Sequence, residues 1–140
     1  MTSLYKDACF AVLLFVPLIA LAEVQTVTLL TDDGDETCDA SCTLRDAIFS
    51  AALSKEPSEI RFQPGLSGTI TLTEKLIFFG DNTTINGPGP DRIAVSGDDQ
   101  FITLEISSTN DNGTLRGLTI RDGFEDSLTG AGIVARDTNI

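Results

Sequence analysis

The 140-residue chain contains no histidine and no tryptophan. The first absence removes the commonest general base and neutral metal ligand, and the second removes the best cation–π platform. Any chemistry therefore falls to Asp, Glu, Arg, Lys or hydroxyls. Positive charge is also scarce: 9 basic residues face 21 acidic ones, a formal charge of −12. A field of that sign repels phosphate backbones and anionic lipid surfaces, which argues against nucleic acid as a partner. The length allows one domain and no large second one. The longest apolar run, Ala8 to Leu21, is too short to span a bilayer.

That run reads instead as a targeting signal. Lys6 precedes it, offset by Asp7, and it closes on Ala20-Leu21-Ala22, the small-x-small pattern that suits signal peptidase. Cleavage is expected after Ala22, so residues 1–22 form a signal peptide and Cys9 leaves with it. The alternative is an uncleaved signal anchor. Export to a secreted or cell-surface location follows, and it bears on Cys38 and Cys42, the two cysteines that remain. In an oxidising compartment a short-loop disulfide is favoured, with free thiols or a metal as the competing readings. Zinc would need two more ligands than this pair supplies.

From Glu23 the β-branched run through Leu30 suits a first strand. Thr31 to Thr37 follows as an acidic, turn-rich loop. Asp32, Asp33 and Asp35 make it the candidate calcium site, although the spacing does not match an EF-hand loop. No cofactor is expected, calcium at this loop being the candidate kept. One strong helix is expected from Thr43 to about Leu53, with Leu44, Ala47, Ile48, Ala51 and Ala52 on one apolar stripe. Thr43 and Asp46 form a capping-box-like start. Residues 23–58 thus form an N-terminal cap of strand, acidic loop and helix.

Residues 59–140 alternate short β-prone runs with turn clusters. The runs are Ile60–Phe62, Thr69–Leu72, Leu76–Phe79, Thr83–Ile85, Ile93–Val95, Phe101–Ile106, Leu115, Leu118–Ile120 and Ile133–Val134. Gly and Asn/Asp corners separate them, as at Asn86–Pro90, Ser96–Asp99 and Asn110–Gly113. Strands this short, recurring at a loose period, predict the rungs of a solenoid rather than a hairpin-built sandwich. The amphipathic helix would cap the first rung. The pattern reaches Ile140 inside what reads as another rung, so a longer native chain is expected.

Cys42-Thr43-Leu44-Arg45-Asp46-Ala47 resembles the six-residue signature of the CSLREA domain, with Thr43 standing for Ser and Asp46 for Glu. Ile60-Arg61-Phe62, Leu66 to Leu72 and Thr84 to Gly89 are similar to the same family. Val95-Ser96-Gly97, Gly117 to Ile120 and Gly130 to Ile133 look like rungs of pectin-lyase-like β-helices. The resemblance implies an all-β fold, a right-handed parallel β-helix, in an exported and mostly bacterial family. It implies no catalytic residues.

The expected function is therefore an exported β-helix segment with a structural or adhesin-like role, its partners extracellular glycans or a cell surface. The alternative is the N-terminal part of a polysaccharide lyase or glycoside hydrolase whose catalytic rungs lie beyond Ile140. For a hydrolase, Asp98-Asp99 is the candidate pair, resembling the adjacent aspartates of polygalacturonases. The rest of that constellation includes a His, which this chain lacks, and ordinary turn chemistry accounts for Gly97-Asp98-Asp99 without any catalysis. For a lyase, Asp122, Asp126, Arg116, Arg121 and Arg136 are the right residue types. Arg45 is expected to pair with backbone carbonyls or the acidic loop, a structural role. Asn82-Thr83-Thr84 and Asn112-Gly113-Thr114 fit the glycosylation acceptor pattern of a eukaryotic secretory protein.

Overall fold

The computed structural model describes residues 22–54, 56–80, 82–108, 112–126 and 132–137. The signal-peptide segment, Cys9 included, lies outside them except for Ala22. Strand β1 spans Glu23–Val27, helix α1 Leu44–Leu53, and nine further short strands follow: β2 Ser58–Phe62, β3 Gly68–Thr71, β4 Leu76–Phe78, β5 Thr83–Asn86, β6 Ile93–Ser96, β7 Leu104–Ser108, β8 Thr114–Arg116, β9 Thr119–Arg121 and β10 Ile133–Asp137.

These strands form three sheets, ordered β1-β2-β5-β8, β3-β6-β9 and β10-β7-β4, with every pairing parallel. After α1, successive strands enter the first, second and third sheets in turn and then return to the first. Parallel neighbours require crossover connections, and here the crossover from one strand to its partner is supplied by the strands of the other two sheets. The fold is thus β-rich, built of parallel sheets with a single helix among the described residues.

Period-2 alternation decides which side chains turn inward. Ile60, Ile85 and Leu115 are register partners, as are Ile70, Val95 and Ile120, and Leu76, Leu104 and Ile133. Ile60, Ile70, Ile85, Val95, Leu76 and Leu104 are at most 2% exposed. Helix α1 packs on β1, β2 and β4 through Leu44, Ala47, Ile48 and Ala51 and covers one side of this core.

Corners fall where the chain tolerates a left-handed backbone. Asn82, Asp98, Asp99 and Asp122 all have φ between 51° and 54°, a region that Asn and Asp enter more readily than other non-glycine residues. Gly87 and Gly117 meet backbone to backbone: a Cβ on Gly87 would lie 2.1 Å from the Gly117 carbonyl oxygen. Only glycine permits that approach.

Two expected strands are shorter in the structure. β1 stops at Val27 because the N–H groups of Thr28 and Leu29 both donate to the Cys42 carbonyl. β7 begins at Leu104 because Phe101 is drawn into a turn, its N–H donating to Gly97 O.

Candidate functional site

The hydrolase and lyase candidates meet, in part, at the end of the β3-β6-β9 sheet. Ser96 ends β6, and Asp98 and Asp99 follow it in the left-handed turn. The Ser96 hydroxyl donates to Asp122 Oδ2 at 2.8 Å and accepts from the Asp98 N–H at 3.2 Å. The Asp99 N–H donates to the Asp122 carbonyl at 2.9 Å. Arg121 places Nη1 3.2 Å from Asp122 Oδ2 and donates from Nη2 to Thr69 Oγ1. Asp98 Oδ2 accepts from Gln100 Nε2.

This corner offers carboxylates, one guanidinium and a hydroxyl already committed to Asp122. Such a set can hold hydroxyls or a cation of a ligand. Its members are satisfied by one another, the pattern of turn stabilisation. Arg116 lies on a different sheet, where its Nε donates to Asn86 Oδ1 at 3.1 Å. Asp126 is exposed and lines an open groove with Glu125, Phe101 and Phe124. Arg136 lies in β10, and its side chain is outside the described residues. The lyase candidates are therefore distributed over all three sheets and their corners rather than gathered.

The acidic loop has a different outcome. Asp32 turns inward, its side chain 1% exposed. Its oxygens accept from Arg45 Nε and Nη2 at 3.0 and 2.8 Å and from the Thr73 N–H and hydroxyl at 2.8 and 3.0 Å. Arg45 also donates to the carbonyls of Glu74 and Lys75. Asp32 thus clamps the loop to α1 and to the β3–β4 corner, and a calcium ion there would have to displace a bidentate guanidinium. Asp33 and Asp35 are exposed, and Asp35 Oδ1 accepts from the Thr37 N–H. Among the described residues no three His, Cys, Asp or Glu side chains are grouped to hold a metal.

Asp46 is wholly buried and closes the capping box: it accepts from the Thr43 N–H and hydroxyl, while Thr43 Oγ1 accepts from the Asp46 N–H. Its other oxygen accepts from the Glu36 N–H at 2.8 Å. A Cβ on Gly34 would lie 2.1 Å from that oxygen, so the loop reaches Asp46 only with glycine at 34. Cys38 and Cys42 are disulfide-bonded, S–S 2.00 Å, and tie the same loop to the helix start.

Sequence reasoning did not find the polar row on the outer face of β2, β5 and β8. Arg61 donates to Glu59 Oε2 at 2.6 Å, Asn86 donates to Glu59 Oε1, and Arg116 donates to Asn86. The Arg61 hydrogen bond holds the Glu59 carboxyl below its ordinary value, against an opposing push from burial, and the same bond raises Arg61. The signal was present as period-2 alternation of polar residues, but the register that aligns them was not. No helix among the described residues is long and apolar enough to cross a membrane. Comparison with family models, curated proteins and solved structures finds no match.

Proposed function

We propose that the chain is an exported segment of a right-handed parallel β-helix with a structural or adhesin-like role at the cell surface or outside the cell. The observation that carries this reading is the cyclic order in which strands join three parallel sheets. Each added turn of chain extends all three outer faces at once, so such an architecture presents long, repetitive surfaces. The CSLREA-like Cys42 to Ala47 segment supports it, since α1 covers the first turn as a cap would. The disulfide suits an oxidising compartment, and the Ala20-Leu21-Ala22 pattern suits a cleaved leader. Extracellular glycans or a host or cell surface are the partners this reading implies.

A second reading is supported by one specific feature, the register row Arg61, Asn86 and Arg116 on an outer face. Arg61 is paired with Glu59, so Arg116 beside the Asn86 amide is the cation this row offers an acidic glycan, as in the N-terminal part of a polysaccharide lyase or glycoside hydrolase. The two readings separate in one experiment. The native product is isolated from the producing organism, its N-terminus and mass are determined, and it is incubated with pectate in the presence and absence of a chelator. The structural reading expects a product starting at Glu23 that leaves the pectate chain length unchanged. Shortening of the polymer, chelator-sensitive for a calcium-dependent lyase and chelator-insensitive for a hydrolase, would overturn it in favour of the enzyme.

A further inference from the structure

Helix α1 carries two apolar faces. Leu44, Ala47, Ile48 and Ala51 are buried against the sheets. Phe49 and Leu53, at i and i+4, lie on the other side, where Leu53 is 71% exposed. Across from them Phe79, just beyond β4, is 41% exposed. Between helix and strand runs a groove of about 330 Å³ lined by Phe49, Ala52, Leu53, Phe78, Phe79 and Thr83. A second hollow of about 230 Å³ shares Ile48, Phe49 and Phe79 and extends the groove toward the helix start. Apolar residues displayed together beside a groove mark a surface suited to binding, and the core does not need them.

The charges at one end of the groove state which kind of partner fits. Glu36, Glu74, Arg45 and Lys75 line it. Both cations are already occupied, Arg45 by Asp32 and Lys75 by Glu105, each at 2.8 Å, and Arg45 stands at 3.4 Å from the exposed Glu74 carboxylate as well. Four carboxylates, Asp32, Glu36, Glu74 and Glu105, thus stand against two cations, leaving two negative charges. A second copy of this chain, itself carrying −12, is repelled. The ten-residue helix is about 15 Å long, which matches two to three turns of a partner helix laid beside it.

We propose that this groove binds a basic amphipathic helix, whose apolar side chains enter between Phe49, Leu53 and Phe79 while its Lys or Arg residues face Glu36 and Glu74. This inference is independent of the role proposed above. The test uses the purified full chain and a fluorescent peptide of about fourteen residues, four helical turns, built of Leu and Lys at amphipathic spacing. A matched Leu/Glu peptide is the control, and both are titrated by anisotropy.

The Leu/Lys peptide is expected to bind saturably and the Leu/Glu peptide not to bind. Leu53→Ser combined with Phe79→Ser should weaken binding roughly tenfold or more while the melting temperature falls by only a few degrees, Leu53 being 71% and Phe79 41% exposed. Glu74→Lys should weaken it as well. Unaltered binding to the Leu53→Ser/Phe79→Ser variant would assign the peptide to the acidic surface at large and overturn the proposal. Equal binding of both peptides, or of neither, would overturn it too.

Discussion

Asp32 shows how one side chain joins three parts of the chain that are far apart in sequence. Its neighbours Asp33 and Asp35 face solvent, as expected of an acidic loop, but Asp32 is folded under it against Arg45 and Thr73. A buried carboxylate is tolerable there because its two oxygens together accept four hydrogen bonds, one on Oδ1 and three on Oδ2, two of them from the Arg45 guanidinium. Removing one partner leaves the other uncompensated, which costs more than the pair itself contributes. Asp32→Ala should therefore destabilise the chain by about 3 kcal/mol, since it also strands the Thr73 N–H. Arg45→Ala should cost at least as much, because it leaves the Asp32 carboxylate, 1% exposed, without its cation, whereas the 20% exposed Arg45 left by Asp32→Ala keeps Glu74 as a partner. Urea denaturation of both single variants and the double variant checks this: the double should cost clearly less than the sum. Strict additivity would mean that Asp32 and Arg45 act separately.

At the scale of the element, the outer row of the β1-β2-β5-β8 sheet has a pH signature. The hydrogen bond from Arg61 holds Glu59 below the ordinary glutamate value, so the folded chain binds this proton less readily than the unfolded chain. The resulting stabilisation is complete above the unfolded value, about 4.3, and is lost as pH falls through the lowered folded value. Glu59→Gln should flatten the stability curve across that acid range by lowering stability slightly at neutral pH and leaving it unchanged below the folded value, the effect being small because solvent screens the pair. Thermal melts across pH 3 to 7, roughly the window in which carboxylates titrate, check it. The strands themselves were largely legible: Ile93–Val95 or Thr83–Ile85 between Gly, Asn and Asp corners read directly as short strands. Helix α1 was legible from its stripe and from Thr43 and Asp46. The ends of β1 and β7 were not, because the Cys42 and Gly97 carbonyls that claim the neighbouring N–H groups are set by tertiary contacts. The candidate site was less legible still. Ser96 meets Asp122, and Asp32 meets Thr73, only once pairing register is fixed across 26 and 41 residues, and residue types alone do not carry that information.

For the molecule as a whole, the inward rows decide how stability is shared. Ile85 sits between Ile60 and Leu115 in register and is 1% exposed, so its methyl groups touch layers on both sides. Ile133, at the edge of the β10-β7-β4 sheet, has Leu104 on one side and is 49% exposed. The same chemical change should therefore have unequal effects. Ile85→Ala leaves a cavity between two rigid strands that cannot collapse without breaking the parallel ladder, and should cost about 3 kcal/mol. Ile133→Ala removes a side chain still half in water and should cost under about 1 kcal/mol. Equilibrium urea unfolding of the two variants, read by circular dichroism, distinguishes the cases. A large loss for Ile85 with an unchanged slope means the layers unfold as one unit. A lowered slope for Ile85→Ala would mean that the layers on either side of it separate, and that successive turns of the chain are coupled only to their nearest neighbours.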